Sequence, residues 1–311
     1  MTYRVIVSAS LSAAIFASFS CGSDDDLPLM AGNTQAAASQ GEAFYQKAKQ
    51  ADDAGKTGKA IKLYDQTATK YPFAPSAPQA RFRQAQLLEQ QGDIQESFTA
   101  YDEFLSRFQG SGLYTTALNR QASMAQAAAE GDVKSSFLGL KSKLSLEKTV
   151  EMLGKVRDNA PKSRSASKAQ FTIGELYQAK GKAKESIAAY RQLVRDQSDS
   201  PEAPEALFRV GLILMEEADR GNQNQANLDL AREAFNDYLI QYPNHSRNAE
   251  ARKLLSALSG RDLERSYDIA EFYRKTGKTE SAKVYYRDIV KKTGSGKLHD
   301  DARARLKELG E

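Results

Sequence analysis

One pattern of residues recurs along most of this chain, and such a repeat constrains the fold more strongly than composition does. In each copy a small residue is followed, further along, by a second small residue and by an aromatic residue four positions after it. The first small residues of the five clear copies are Ala48, Ala85, Gly174, Gly211 and Ala270. In four of the copies a glycine lies seven positions after the first small residue, and the copy at Gly211 has a longer connection instead.

These spacings predict two packed helices in every copy. A small residue lets the second helix approach the first closely, and the glycine can take the positive φ that a tight turn needs. The second small residue and the aromatic residue share one helix face, because positions four apart are neighbours on a helix. Pro72, Pro161 and Pro243 are expected to end second helices. Neither helix has enough apolar surface to stand alone, so the hairpins are expected to stack.

The aligned residues resemble the tetratricopeptide repeat, a helix-turn-helix unit of about 34 residues. A sixth, weaker unit has its helices at 118–130 and 146–159, joined by a polar connection at 131–145. We also expect a long loop at 220–227, an added helical stretch at 249–258 and a closing helix at 300–309. The prediction is therefore an all-α fold: a right-handed solenoid of about six helical hairpins over residues 41–311, with no strand of convincing length.

Charge and cysteine content exclude several classes of function. The 311 residues carry a net charge of +4, and basic residues alternate with acidic ones along the chain. Without a basic stripe, nucleic acid is not an expected partner. The single cysteine excludes an internal disulfide framework, and no Cys or His spacing typical of zinc is present. We expect neither a metal nor a cofactor.

The residues that could support catalysis have structural explanations. Residues 55–57 and 277–279 are Gly-Lys-Thr fragments, but each lacks the earlier glycine and the preceding strand of a phosphate loop. We expect both to be turns between helices. His245 and His299 are far apart in sequence, without metal-ligand spacing or a triad partner, and are expected to be solvated surface residues. The sequence therefore predicts a protein that is not an enzyme.

The first forty residues resemble the N-terminus of a bacterial lipoprotein. Residues 1–20 contain Arg4 and then an apolar run too short for a stable membrane span, which is typical of an export signal. Cys21 follows immediately and would be acylated to become the mature N-terminus. Residues 21–40 are polar and small, and are expected to tether the anchor to the folded part. Ordinary secretion, with a cysteine near the cleavage site by chance, is the alternative.

An aromatic residue lies three positions before each first small residue. In tetratricopeptide units this position tends to face the concave groove, where a row of rings could grip an extended peptide or a partner helix. Packing of these rings between neighbouring hairpins is the other explanation. The five candidate groove residues are Tyr45, Phe82, Phe171, Phe208 and Tyr267.

Several segments are similar to those of the BamD-like (ComL/YfiO-like) outer-membrane assembly lipoproteins. These are Lys70-Tyr71-Pro72-Phe73, the Asp219-Arg220 pair, the stretch 231–255 and the stretch 262–290. The resemblance implies a lipid-anchored scaffold on the periplasmic face of the outer membrane. Its implied partners are the barrel-assembly outer-membrane protein and other envelope proteins, with residues 263–292 docking to the assembly platform. The alternative function is a periplasmic repeat protein that coordinates cell-wall synthesis or Tol-type machinery at division.

Overall fold

The structure, a computed structural model, describes residues 34–137, 140–220 and 224–311. Within these ranges the chain forms thirteen α-helices and one two-stranded antiparallel hairpin. The chain divides into two compact units, residues up to Ser111 and residues from Gly112 onward. The expected signal, Cys21 and most of the expected tether lie outside the described residues.

The first unit contains two helical hairpins. They are formed by α1 (Thr34–Asp53) with α2 (Thr57–Lys70), and by α3 (Ala77–Gln91) with α4 (Ile94–Arg107). Helix α1 begins at Thr34, so residues 34–40, which we expected to be tether, are helical. The reason is packing: Ala37 and Phe44 contact a buried cluster of Tyr71, Ala74 and Ala77.

The second unit contains four helical hairpins and a closing helix. Its helices are α5 (Tyr114–Glu130), α6 (Leu146–Asn159), α7 (Arg164–Ala179), α8 (Ala183–Asp196), α9 (Ala203–Arg220), α10 (Gln225–Gln241), α11 (Asn248–Lys275), α12 (Thr279–Lys292) and α13 (Lys297–Glu308). The hairpins pair α5 with α6, α7 with α8, α9 with α10, and the end of α11 with α12. Six hairpins in the two units confirm the predicted repeat class and number.

The connection between α5 and α6 contains two short strands. Strand β1 (Lys134–Phe137) pairs antiparallel with β2 (Leu140–Lys143), with Lys134 opposite Lys143 and Phe137 opposite Leu140. Each strand is only four residues long, which is too short for an alternating pattern to be recognised in the sequence.

Two further connections differ from their expected form. Both ends of the loop expected at 220–227 are helical, because α9 continues to Arg220 and α10 begins at Gln225. The added stretch expected at 249–258 belongs to α11, which runs without a break for 28 residues into the last hairpin. The closing helix α13 is confirmed and begins at Lys297.

The predicted turns and helix ends are confirmed. Gly55, Gly92, Gly181 and Gly277 all have positive φ and connect the two helices of a hairpin. The second helices α2, α6 and α10 each end two residues before a proline, at Lys70, Asn159 and Gln241. Both Gly-Lys-Thr fragments therefore lie in turns between helices.

The small residues lie where the two helices of a hairpin cross. A Cβ atom on Gly174 would lie 2.6 Å from Cδ1 of Tyr190, and one on Gly211 would lie 2.6 Å from Cε1 of Phe235. The Ser186 hydroxyl also donates a hydrogen bond of 2.9 Å to the backbone carbonyl of Gly174. In the α7–α8 hairpin, close approach therefore combines a missing side chain on one helix with a small polar residue on the other. Among the helices of the described residues, none has both the length and the apolar run needed to span a bilayer.

Candidate protein-binding surface

Each of the five predicted groove aromatics contacts an aromatic residue on the second helix of its own hairpin. The ring centroids are 5.3–5.8 Å apart in the pairs Tyr45–Tyr64, Phe82–Tyr101, Phe171–Tyr190, Phe208–Phe235 and Tyr267–Tyr286. These tilted and edge-to-face contacts are favourable aromatic geometry. The rings therefore hold the two helices of a hairpin together.

Two of the five rings are core residues, which favours the packing explanation for them over contact with a ligand. Phe208 has no exposed surface, and Phe82 is 6% exposed. The Arg247 guanidinium lies 3.7 Å from the Phe208 ring centroid and covers it. Tyr45, Phe171 and Tyr267 are half-buried, and a role for them in binding stays a prediction.

Arginine side chains cover part of the surface where an aromatic row was expected. Arg209 on α9 lies 4.9 Å from the centroid of Phe171 on α7 and pairs with Glu175 at 3.0 Å. Arg209 also pairs with Glu205 at 2.9 Å, and Arg247 pairs with the same carboxylate at 2.9 Å. Arg247 pairs in turn with Glu250. We call these five residues the charge network: Glu175, Arg209, Glu205, Arg247 and Glu250.

Acidic and basic side chains alternate in space along the charge network, which extends from α7 across α9 to the start of α11. It is partly accessible to solvent, since the Arg209 and Arg247 side chains are each 27% exposed. Hydrogen bonds from Arg247 hold the pKa of Glu250 below its usual range, so that carboxylate is ionised near neutral pH. A partner with alternating charges could therefore be recognised there, whereas a uniformly anionic or cationic ligand would meet repulsion at every second position.

Arginine–carboxylate pairs between successive hairpins also occur elsewhere in each unit. In the first unit, Arg83 on α3 forms two hydrogen bonds of 2.7 and 3.1 Å with Asp52 on α1, which lowers the Asp52 pKa. In the second, Arg305 on α13 pairs with Glu271 on α11 at 3.2 Å. In every case an arginine links a helix to the first helix of the preceding hairpin.

The hydroxyl groups of three buried tyrosines donate to acceptors on the first helix of the same hairpin. Tyr64 donates to Asp52, Tyr101 to Glu89 and Tyr190 to Gln178, and each acceptor lies twelve positions before its tyrosine. Burial raises the pKa of Tyr190 to about 12. These bonds let a large aromatic side chain fill the core without leaving its hydroxyl unsatisfied.

A groove of about 460 Å³ lies between the first helices of two successive hairpins, α5 and α7. Buried Leu153 and Val156 of α6 form its floor. Its walls are small or polar, and include Asn119, Ala122, Ser123, Gln126, Lys168 and Ala169. Amide, hydroxyl and ammonium groups around an apolar floor suit a polypeptide segment, whose backbone needs hydrogen-bond partners.

Two of these arginines, one in each unit, were not recognised in the sequence, although a signal was present. Arg83 and Arg209 each directly follow a candidate groove aromatic, in the pairs Phe82-Arg83 and Phe208-Arg209. The residue after a core position points partly outward on a helix and can reach the neighbouring helix. An arginine at that position is therefore the feature to look for.

Sequence comparison decides the family. Residues 45–112 and 171–246 match the tetratricopeptide repeat, and residues 263–291 match it again, which together is more than half of the chain. The chain belongs to the tetratricopeptide-repeat family. Proteins built from this repeat bind other proteins in general, and this chain shares that scaffold. No curated protein matches the sequence.

Several solved structures resemble this chain distantly. A repeat protein from Parabacteroides merdae is 17% identical, covering 87% of this chain and 99% of its own, with a TM-score of 0.29. The C-terminal part of a repeat protein from Cytophaga hutchinsonii is 13% identical over 84% of this chain and 87% of its own, with a TM-score of 0.34. PilF from Pseudomonas aeruginosa is 12% identical over 87% and 99%, with a TM-score of 0.31.

The two histidines of the tetratricopeptide-repeat region make structural hydrogen bonds. Nδ1 of His245 lies 2.6 Å from the hydroxyl of buried Tyr238, and Nδ1 of His299 lies 2.9 Å from the backbone carbonyl of Thr293. Both side chains are half-buried, which corrects the expectation of solvated surface residues. In the part of the chain that the structure describes, no three His, Cys, Asp or Glu residues are grouped as metal ligands would be.

Proposed function

We propose that this protein is a non-enzymatic scaffold that binds envelope proteins and helps to insert β-barrel proteins into the bacterial outer membrane. Acylated Cys21 would hold it at the periplasmic face of that membrane. The observation that carries the binding role is the surface formed by α5, α7 and α9, which combines the groove over Leu153 and Val156 with the charge network. The outer-membrane role is supported by the N-terminal pattern and by the resemblance to the BamD-like lipoproteins.

The proposed mechanism is geometric. Anchoring a scaffold beside membrane partners raises their effective concentration without any new contact. A partner segment would lie across the first helices, with its backbone in the α5–α7 groove and its charged side chains on the charge network. The hairpin of residues 263–292 would dock to the assembly platform. In its support, Phe272 and Val284 in this hairpin are each 59% exposed, which is unusual for large apolar side chains without a partner.

The mass of the mature N-terminus tests the anchor. Protein isolated from membranes of its native host should carry a diacylated or triacylated cysteine as its first residue, and Cys21→Ser should release the protein into the soluble periplasmic fraction. An unmodified N-terminus on the wild-type protein would contradict the anchor and would favour ordinary secretion.

Affinity purification from detergent-solubilised envelopes tests the partner. The wild-type protein should recover the barrel-forming assembly protein. Phe272→Ser with Val284→Ser in the hairpin proposed to dock should reduce that recovery, while Ile240→Ser, at an exposed apolar position of α10, serves as the control. Depletion of the protein should lower the amount of outer-membrane barrels. A constriction defect with normal barrels would instead support the role in cell-wall synthesis or division.

A further inference from the structure

A second groove lies on the other side of α9 from Arg209. It has a volume of about 640 Å³ and runs between α8 and α10, the second helices of two successive hairpins. Leu214 of α9, which is buried, lies at its base, and Ile187 of α8 and Leu230 of α10 line its walls. Leu230 is 37% exposed, so apolar surface is open to solvent along this groove. It shares no residue with the charge network or with the α5–α7 groove.

The α8 wall of this groove is basic. Lys184, Arg191 and Arg195 line it at spacings of seven and four residues, which places them on one helix face with Ile187. Within the described residues neither Lys184 nor Arg191 forms an ion pair, whereas Arg195 pairs with its neighbour Asp196 at 3.4 Å. Glu217 is the one acidic lining residue, and Arg220 already pairs with it at 3.2 Å. The groove therefore has a net positive charge.

We propose that the α8–α10 groove binds an amphipathic helix of a partner protein, in which carboxylates flank a stripe of apolar side chains. The apolar stripe would cover Ile187, Leu214 and Leu230, and the carboxylates would pair with Lys184 and Arg191. The wall from Ala183 to Arg195 spans roughly 18 Å at 1.5 Å per residue, which matches about three turns of a bound helix.

The concave form of this site favours a helix over a membrane surface. An anionic bilayer is nearly flat on this scale and could reach the outer cations, but it could not cover Leu214 at the base of the groove. A helix can fill the groove and meet its cations at the same time. Because the site lies on the side of α9 away from the charge network, both surfaces could be occupied together. The inference does not depend on the anchor at Cys21 or on the barrel-assembly role.

A pair of synthetic peptides provides the probe. The first is a fluorescein-labelled helix of about 14 residues with leucines in an i, i+3, i+4, i+7 pattern flanked by glutamates. The second has lysines in place of the glutamates. Fluorescence anisotropy with the full-length protein should show the glutamate peptide binding at least about tenfold more tightly, because like charges oppose the lysine peptide. Equal binding of the two peptides would overturn the proposal.

Two double variants with the same change in net charge locate the site. Lys184→Glu with Arg191→Glu should weaken binding of the glutamate peptide at least about tenfold. Lys291→Glu with Arg303→Glu, at exposed positions of α12 and α13, should change it less than about twofold. Equal losses in both variants would mean general charge attraction and would overturn the assignment.

Leu230→Ser, which keeps every charge, should also weaken binding, and an unchanged affinity would count against a helix seated in the groove.

Vesicles containing phosphatidylglycerol distinguish a membrane from a helix. They should not compete with the glutamate peptide. Competition by vesicles that disappears in the Lys184→Glu, Arg191→Glu variant would assign the groove to anionic lipid and overturn the proposal. Circular dichroism and thermal unfolding of each variant confirm that the substitutions leave the fold intact.

Discussion

Glycines and aromatic residues on facing helices fit together in the second unit. Gly174 and Gly211 leave room on the first helix, and the rings of Tyr190 and Phe235 occupy that room from the second. Both rings have no exposed surface. A close-packed interior cannot absorb an added methyl group without shifting a side chain or the backbone. Each pair therefore sets the distance between the two helices of its hairpin.

Adding one methyl group at these positions should destabilise the protein. Gly174→Ala and Gly211→Ala are each expected to lower the free energy of unfolding by about 1–3 kcal/mol, despite the better helix propensity of alanine. Urea denaturation followed by circular dichroism measures the effect. Gly260→Ala in α11 is the matched control, because a Cβ there would meet no neighbouring atom within 4 Å. It should stabilise by about 0.5–1 kcal/mol. Equal effects at Gly174 and Gly260 would contradict the close-packing argument.

Glu271 should make stability depend on acid pH. Hydrogen bonds from Arg274 and from the Tyr286 hydroxyl, together with Arg305, lower its pKa to about 2 from the usual 4.5. A lowered pKa means that ionised Glu271 contributes stability above about pH 4.5, and that this contribution is lost as the pH falls toward 2. Urea unfolding at several pH values should show wild type losing stability over this range more steeply than Glu271→Gln.

Glu264→Gln provides the control for the pH series. Glu264 lies on the same helix, is exposed and makes no ion pair in the described part of the chain. That variant should keep the steep acid dependence of the wild type. If Glu271→Gln keeps it as well, the ion-pair cluster around Glu271 does not contribute to stability in the folded protein.

At the scale of helices, the sequence predicts the structure correctly wherever a residue type is required by the backbone conformation at its own position. Gly181 has positive φ and Pro243 follows the end of α10, so both turn positions could be predicted. Which residues form the exposed surface could not be predicted. Whether Phe208 faces a ligand or the core depends on Arg247, which lies 39 positions further along the chain and covers the ring. The contact of Arg247 with Phe208 therefore has no signature in the sequence around Phe208.

Insertions were the least predictable elements. Residues 220–227 contain Gly, Asn and Gln and suggest a loop, but α9 and α10 extend into them, since Leu228 and Ala218 can be buried in the same core cluster. The β1–β2 pair is stabilised by hydrogen bonding between its two strands, and four-residue strands carry too little pattern to reveal it. In both places tertiary packing or strand pairing outweighed local propensity.

The contact between α9 and α11 gives a prediction about how hairpins are joined. Arg247 covers Phe208 and pairs with Glu205, so Arg247→Met should lower the free energy of unfolding by about 1–2 kcal/mol. A double-mutant cycle with Glu205→Gln should show coupling of about 0.5–1.5 kcal/mol. Arg220→Met is the control, because its pairs with Glu216 and Glu217 are exposed, and it should change stability by less than about 0.5 kcal/mol. Zero coupling in the cycle would show that the arginine acts only through its contact with the ring.

At the scale of a whole unit, a stack of hairpins leaves apolar surface uncovered at its end unless a further element covers it. Helix α13 does so in the second unit. Ala302 has no exposed surface, and Leu298, Leu306 and Leu309 pack on the cluster of Ala270, Tyr286 and Ile289. The end of α13 is also tied to the last hairpin by the ion pair of Arg287 with Glu311.

Removal of α13 should therefore expose the core of the last hairpin. Deletion of residues 297–311 is expected to lower the free energy of unfolding by about 3 kcal/mol or more, because several leucine side chains lose their buried contacts. The variant should bind a hydrophobic dye and self-associate on size-exclusion chromatography. Deletion of Gly310 and Glu311 alone keeps α13 and removes a surface ion pair and two backbone hydrogen bonds at its last turn, so it should lower the free energy of unfolding by no more than about 1 kcal/mol. Ala302→Asp tests the same contact in the full-length chain, since it buries an unpaired carboxylate against Ile289 and its neighbours. If the deletion and Ala302→Asp both left the protein monomeric and equally stable, α13 would not be the cap of this unit, and the last hairpin would be stable with its apolar face in water.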